Sequence, residues 1–371
     1  MSDQFHKLKV KEVIQETKDA VSLVFDIPAA LSETFKYIPG QYLTLKFNLN
    51  NKEVRRAYSF SSSPATEQDP KVSIKRVLGG LVSNHINDNI KAGDEIEVMP
   101  ANGRFYTEIK EENKKHYYLF GGGSGVTPLM SILKTVLEKE PQSKVFLIYG
   151  NRDEESIIFK SELDNLLNRF EGQLEIQFAV DNPPILKEGG FMGMFAKKRI
   201  DWDGLVGPID YKKIDDFLSK FPTENKDSEY FICGPGGMME ATKVALEKLE
   251  IPSKNIHIEV FTSIRMPGEE DETKEASGTN SSAKVRLNGK DYEIDVRKGE
   301  SILEALQRHK VDAPFSCTAG ACATCMAKMK SGNVEMTSCF ALDEEEIEEG
   351  FVLTCVSYPS TPTVDLTYDL D

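Results

Sequence analysis

The sequence predicts a multidomain chain: an antiparallel β-barrel first, then an α/β doubly wound parallel sheet, then a third and smaller domain. Three observations carry this. Short runs of alternating apolar and polar residues fill the first hundred residues. Strand and helix patterns alternate from Tyr117 to Leu249. A cysteine-rich loop, Cys317-Thr-Ala-Gly-Ala-Cys322-Ala-Thr-Cys325, stands beyond a linker almost free of apolar residues. At 371 residues the chain is long enough for two or three domains, each burying its own core.

The barrel is read from Leu8-Lys-Val-Lys-Glu-Val-Ile, Val21-Ser-Leu-Val-Phe, Tyr42-Leu-Thr-Leu-Lys-Phe, Val72-Ser-Ile-Lys-Arg-Val and Glu95-Ile-Glu-Val-Met. Turn residues separate these runs at Pro39-Gly40, Asn50-Asn51 and Ala92-Gly93-Asp94. Alternation of period two with such punctuation predicts short antiparallel strands closing on themselves. The segment Arg56-Ala57-Tyr58-Ser59 is expected at the start of a strand, with Tyr58 and Ser59 on opposite faces. Gly79-Gly80 precedes a helix expected near Leu81. Free amides at such a helix start can meet a phosphate.

The second domain is predicted from strand Tyr117–Phe120, helix Leu129–Glu140, strand Val145–Tyr149, helix Ser161–Phe170 and strand Leu174–Val180. Helix Tyr211–Phe221, strand Tyr230–Cys233 and helix Met238–Leu249 continue it. Two glycine-rich turns sit where a strand gives way to a helix: Gly123-Ser124-Gly125-Val-Thr127-Pro128 and Cys233-Gly234-Pro235-Gly-Gly-Met. That is the context in which such a turn binds phosphate. Pro128 stands where a dinucleotide fingerprint has its third glycine, and proline suits the first turn of a helix. Cys233 alone would also suit a tight buried turn.

Residues 264–283 are rich in Glu, Asp, Ser, Gly and Thr and read as a flexible acidic linker. Expected limits are therefore 1–107 for the first domain, 108–263 for the second and 284–371 for the third. In the third, the C-x₄-C-x₂-C spacing with Cys355 about thirty residues later is a ligand pattern for a [2Fe–2S] cluster. Three thiolates must converge on a small cluster, so the loop needs small residues, and Gly320 can take a positive φ. Cys339 is the rival fourth ligand. Cys355 is preferred because Phe351-Val-Leu-Thr-Cys355 reads as a buried strand, whereas Cys339 adjoins the acidic run Asp343–Glu349. Zinc is the alternative metal, but it usually takes paired knuckles or Cys/His sets.

Composition narrows the partners. The net charge of −15 disfavours nucleic acid and anionic membranes. No apolar run reaches the length of about eighteen residues that a spanning helix needs, so no membrane insertion is expected. The first residues lack a signal-peptide core, and six cysteines with four at cluster spacing suit reducing conditions, so a cytoplasmic location is expected.

The third domain from about Ala283 resembles a plant-type ferredoxin, which implies an α+β β-grasp fold. Arg56-Ala57-Tyr58-Ser59 followed by Lys75-Arg-Val77-Leu-Gly-Gly80-Leu81-Val82-Ser83-Asn84 resembles the FAD-binding barrel of the ferredoxin–NADP reductase superfamily. One strand offers a guanidinium for pyrophosphate, an aromatic face for the ring and a small hydroxyl. The resemblance implies that Arg56, Ala57, Tyr58 and Ser59 hold FAD with Lys75 and Val77 nearby. Gly80, Leu81, Val82 and Ser83 would wrap its pyrophosphate. It also implies that Gly123, Ser124, Gly125, Thr127, Pro128, Cys233, Gly234 and Pro235 meet the nicotinamide coenzyme. His257-Ile-Glu259-Val-Phe261 matches the family's acidic-x-aromatic ending. Glu259 and Ser59 would serve hydride transfer, and Phe261 would cover the flavin. Arg152, after the second strand, favours a 2′-phosphate and hence NADPH; Asp153 and Glu154 beside it keep NADH open.

A nicotinamide gives two electrons together, a [2Fe–2S] cluster accepts one, and flavin can divide the pair. The order of sites therefore predicts an NAD(P)H-dependent oxidoreductase running from coenzyme to FAD to cluster to an external acceptor. Reductase first and ferredoxin last resembles the reductases that serve phenylacetyl-CoA epoxidase and alkane, steroid and aromatic-ring oxygenases. The motif spellings are most like the phenylacetyl-CoA epoxidase type, a diiron oxygenase of aromatic catabolism. The expected partner is thus an oxygenase component. The alternatives are a free-standing reductase for quinones or ferric chelates, and a redox-sensing module. The acidic run Asp343–Glu349 reads as a solvated helix face or a docking patch for that partner. The linker suggests a swinging ferredoxin domain.

Overall fold

The computed structural model describes residues 4–188, 197–222, 227–261 and 278–370. Its first unit contains β1 (His6–Thr17), β2 (Ala20–Asp26), β3 (Tyr42–Leu49), β4 (Lys52–Ser59) and β5 (Lys71–Lys75), then helix α1 (Leu81–Asn89) and β6 (Glu95–Asn102). The strands form one antiparallel sheet in the order β4-β3-β6-β1-β2-β5, and a bridge between Phe60 and Val72 draws its two edges together. The result is a half-barrel around Leu8, Val10, Leu23, Phe25, Leu43, Leu45, Ile74 and Val98. Strands β3 and β4 are joined through Asn50 and Asn51, both at positive φ (53° and 58°). That is the two-residue hairpin geometry whose twist suits flanking strands.

The second unit alternates strand and helix through β7 (His116–Gly122), α2 (Val126–Lys139), β8 (Lys144–Asn151), α3 (Lys160–Arg169) and β9 (Leu174–Val180). A hairpin of β10 (Ile185–Glu188) and β11 (Lys197–Ile200) follows, which the hydropathy pattern does not foretell. Then come β12 (Leu205–Val206), α4 (Tyr211–Lys220), β13 (Ser228–Cys233), α5 (Gly236–Lys248) and β14 (Ile256–Glu259). The parallel sheet runs β12-β9-β8-β7-β13-β14, so the order in which strands are added reverses between β7 and β13. Helix α2 is buried on nearly every side, because it lies between this sheet and the half-barrel. Its Ser131 hydroxyl donates to the Ser62 carbonyl at 2.6 Å, and Thr135 meets Ser63 at 2.8 Å. These contacts fix the first two units against each other.

The third unit holds β15 (Ser281–Leu287), β16 (Lys290–Val296), α6 (Ile302–Arg308), β17 (Met326–Ser331), β18 (Val334–Met336), α7 (Glu344–Glu348), β19 (Phe351–Leu353), β20 (Ser357–Pro359) and β21 (Thr363–Thr367). Its main sheet runs β16-β15-β21-β17-β19, with β15 and β21 parallel. Helix α6 begins with a capping box in which Ser301 and Glu304 satisfy each other's amides, and it packs Ile302, Leu303 and Leu306 onto the sheet.

Three expectations need correction. The Arg56–Ser59 segment ends strand β4 rather than starting a strand, because Lys52 to Arg55 already pair with β3. The linker gives way to sheet earlier than expected: Ser281–Ala283 pair with β16, Ser282 and Ala283 also with β21, and Ala283 is fully buried. Residues 264–277 of the expected linker lie outside the described residues. Strand β19 stops at Leu353, so Cys355 sits in the turn before β20 rather than in a strand. No described helix is long and apolar enough to cross a membrane.

Candidate redox site

Strand β4 presents the expected flavin residues at its carboxyl end. Arg56 donates through Nη1 to the Arg55 carbonyl at 2.7 Å, while its buried Nε has no hydrogen-bond partner among the described residues. A buried guanidinium nitrogen without an acceptor suits an anionic ligand there, such as a pyrophosphate oxygen. Tyr58 packs against the half-barrel core, and its hydroxyl is pushed up by burial. Ser59 is 3 % exposed and donates from Oγ to Glu259 Oε2 at 2.9 Å. The structure thus brings together two expected residues two hundred positions apart. Burial pushes the Glu259 carboxyl up to about 8, with the Ser59 hydrogen bond opposing. Near neutral pH this group is therefore largely a neutral acid, able to hold or give a proton.

Beyond β5, Gly80 caps α1 from its amino end, and Ser83 Oγ accepts from the Val77 amide at 3.2 Å. A Cβ on Gly80 would stand 2.5 Å from Ser83 Oγ, so a side chain there would displace the Ser83 hydroxyl. Val82 is 1 % exposed, whereas Val77 and Leu81 are open to solvent.

The second ligand cleft lies at the carboxyl ends of β7 and β13, where the strand order reverses. Ligands of doubly wound sheets bind at this crevice. Gly123-Ser124-Gly125 forms a short turn leading directly into α2. A Cβ on Gly125 would sit 2.0 Å from the Cys233 carbonyl oxygen, so the two glycine-rich turns touch through bare backbone. Thr127 donates to the Ser124 carbonyl at 3.0 Å and Tyr149 to the Gly123 carbonyl at 2.9 Å. Both shape the turn, and Tyr149 carries no mark of this in the sequence. Pro128 is buried in the first turn of α2, and Pro235 precedes α5. Cys233 is fully buried and its thiol pushed up, which makes it a packing residue rather than a nucleophile.

Lys75 points towards Gly123, its Nζ 3.5 Å from where a Cβ would lie. Burial and then the nearby Arg152 guanidinium push its ammonium down. Two cations facing one cleft suit a phosphate. Arg152 is already engaged by acids, donating to Asp153 at 2.9 Å and lying 4.0 Å from Asp19. Phe261 stands just past β14, 41 % exposed.

The cysteine loop lies between α6 and β17. Gly320 takes φ +74°, and a Cβ there would meet the Ser338 carbonyl oxygen at 2.6 Å. Thr318 and Ala323 also adopt positive φ (57° and 52°), a cost that non-glycine residues bear only when the surroundings impose it. Amides of Ala319 and Ala321 each lie 3.4 Å from Cys317 Sγ, and the Cys317 amide lies 3.4 Å from Cys322 Sγ. The Cys317 thiol interacts with those of Cys322 and Cys355, and the Cys355 thiol also with that of Cys325. The neighbouring thiols, with the Ala319 and Ala321 amides, push the Cys317 thiol down, while the neighbouring thiols and burial push the Cys355 thiol up. Cys339 stands outside this group, half-buried and pushed up by burial. Convergence of the four thiols rests on these interactions; among the described residues no His, Cys, Asp or Glu set closes around a single-ion point.

The loop is seated on the half-barrel. Tyr42 Oη donates to the Cys322 carbonyl, and Thr44 Oγ1 donates to Ser316 Oγ at 2.9 Å. The Arg55 guanidinium lies 4.1 Å from the Phe315 ring centre and 3.4 Å from Asp312. Arg104 pairs with Glu346 of α7 and reaches Met326 Sδ at 3.3 Å. Tyr42 pairs across β3 and β4 with Ser59, so only one strand separates the cysteine loop from the flavin segment. Sequence reasoning missed this contact set, whose members lie more than two hundred residues apart.

A flavin-type half-barrel, a nucleotide-type parallel sheet and a thiol loop meeting at one junction define a pyridine-nucleotide-dependent iron–sulfur flavoreductase. The chain belongs to the family of oxygenase reductase components built from these three domains. It matches the FAD-binding domain of oxidoreductases over residues 7–106, the NAD-binding domain over 119–244 and the 2Fe-2S iron-sulfur cluster binding domain over 285–360. It is 34 % identical to a component of the 1,2-phenylacetyl-CoA epoxidase of Escherichia coli (strain K12), over 98 % of each chain. It is 32 % identical to the ferredoxin reductase component of 3-ketosteroid-9-alpha-monooxygenase from Rhodococcus rhodochrous, over 97 % of this chain and 96 % of that one. Phthalate dioxygenase reductase shares the fold, with a TM-score of 0.58 at 22 % identity over 98 % of both chains. The protein is an oxidoreductase with FAD, NAD(P)H and [2Fe–2S] as its cofactors.

Proposed function

We propose that this protein draws electrons from NADPH and delivers them singly to an oxygenase component, with an epoxidase acting on phenylacetyl-CoA as the acceptor. One observation carries the route: the Ser59–Glu259 pair and the cysteine loop flank the same two strands, β3 and β4. Bound FAD would accept a hydride and release its electrons one at a time to the cluster. Around it, Arg56 binds pyrophosphate, Ala57 lets the backbone approach, Tyr58 offers its ring face, and Lys75 and Val77 border the cleft. Ser59 and Glu259 orient the reacting edge and hold a proton. Gly80 to Ser83 present amides, and Gly123 to Pro128 with Cys233 to Pro235 bind the coenzyme, with Phe261 as the covering ring. Cys317, Cys322, Cys325 and Cys355 ligate the cluster. Three domains divide this work. The cytoplasm, with its reduced thiols and nicotinamide pool, is the compartment this reading requires.

The acceptor is tested by turnover. NADPH oxidation coupled to a purified phenylacetyl-CoA epoxidase oxygenase should exceed that with quinones or ferric chelates; the reverse ranking would favour a free-standing reductase. Arg152→Gln should lower kcat/KM for NADPH by roughly 10-fold or more while sparing NADH, as loss of a charged hydrogen bond predicts. An equal loss for both coenzymes would remove the 2′-phosphate role.

Docking of the acceptor by the acidic run is narrowed by the geometry. Glu346 is held by Arg104 and also caps α7, whereas Glu345 and Glu348 are exposed. Charge reversal at Glu345 and Glu348 should slow delivery to the oxygenase and flatten its salt dependence. Unchanged rates at all ionic strengths would contradict this.

A further inference from the structure

Tyr42 belongs to the half-barrel, yet its hydroxyl ends inside the cysteine loop. It lies 2.5 Å from the Cys322 carbonyl oxygen and 2.7 Å from Thr324 Oγ1. Thr324 Oγ1 is in turn 3.3 Å from Cys322 Sγ. Tyr42, Thr324 and Cys322 are 3 %, 7 % and 8 % exposed, so water supplies few of the missing hydrogen bonds. Each hydroxyl has one hydrogen to give, while the carbonyl oxygen can only accept. The Tyr42 hydrogen therefore goes to the Cys322 carbonyl. Thr324 is left with one hydrogen and two acceptors, the Tyr42 oxygen and the Cys322 sulfur.

We propose that Tyr42 is a positioning residue which, when the cysteine loop is seated on the half-barrel, draws the Thr324 hydrogen away from the Cys322 sulfur. Seating of the domain thereby sets the potential of the cluster. This rests on the reading that Cys322 is a cluster ligand. A hydrogen bond to a ligand sulfur stabilises the more negative, reduced cluster and raises its potential. The seated domain consequently has the lower potential. On leaving the half-barrel, Thr324 returns its hydrogen to the sulfur and the potential rises. An electron taken while seated is then held more firmly after release, and its return to the flavin becomes unfavourable.

The rest of the junction suits a contact that can open. Arg104–Glu346 and Arg55–Asp312 are ionic, and each pair has one partner open to solvent, Arg104 by half and Asp312 almost wholly, where salt weakens such pairs. The buried Tyr42 contact supplies register rather than charge.

The test is a redox titration of the reconstituted full-length protein, read from the paramagnetic signal of the reduced cluster. Wild type must show that signal; its absence would overturn the cluster reading and this inference together. Tyr42→Phe should shift the cluster potential upward and alter the shape of the signal. Thr324→Val should abolish the effect, so that the double variant titrates with Thr324→Val alone. Arg104→Glu, which opens the rim without touching the buried hydroxyls, should move the potential upward as well, and it serves if Tyr42→Phe fails to fold. An unchanged or lowered potential in both Tyr42→Phe and Arg104→Glu would overturn the proposal. So would an upward shift in Tyr42→Phe that persists in the Thr324→Val background.

Discussion

Replacing Cys355 by serine is expected to abolish the visible absorbance and the paramagnetic signal of the cluster, while Cys339→Ser retains both. The thiol of Cys355 interacts with those of Cys317 and Cys325, whereas Cys339 stands outside the group. Electron delivery to the oxygenase should disappear with the cluster. Reduction of a flavin-level acceptor such as ferricyanide should survive, because the half-barrel and the parallel sheet have cores of their own. Iron analysis and absorbance of the two purified variants check this. Loss of the cluster in Cys339→Ser with retention in Cys355→Ser would reverse the ligand assignment.

Glu259→Gln should lower the rate of flavin reduction by NADPH by roughly 10²-fold, the low end of what a positioned acid or base contributes. Ser59→Ala should do the same, since Ser59 is the group that orients Glu259. The pH dependence gives a second signature. Burial raises the folded-state value of Glu259 to about 8 from 4.5. Between those limits the folded protein keeps a proton that the unfolded chain has released, so stability falls as pH rises through the window. Glu259→Gln, which has no proton to lose, should flatten that slope and remove the inflection near 8 from the rate profile. Stopped-flow flavin reduction and thermal unfolding across pH measure both. A wild-type profile without an inflection, or one that persists in the variant, would contradict the role.

Local features of the fold were legible because their causes are local. Asn50-Asn51 marked the hairpin, the two glycine-rich turns marked the strand-to-helix junctions, and Gly79-Gly80 placed the start of α1 at Leu81. The spacing of Cys317, Cys322 and Cys325 declared the loop, since ligand geometry constrains sequence separation directly. What escaped was set by distant pairing. Nothing near Arg56 shows that its strand had begun at Lys52, because that depends on register with β3. The sheet character of Ser282 and Ala283 comes in part from β21 at the far end of the chain. Tyr42 and Thr44 looked like ordinary members of an alternating strand. Only the third domain folding onto them reveals that they face the cysteine loop.

The central claim is one electron route from nicotinamide to cluster within this chain. It is tested most directly by anaerobic titration of the reconstituted protein with NADPH, followed by NADH, recording flavin and iron–sulfur absorbance together. The account predicts that both bands bleach, with NADPH the faster donor. Bleaching of the flavin band alone, with the cluster left oxidised, would contradict it.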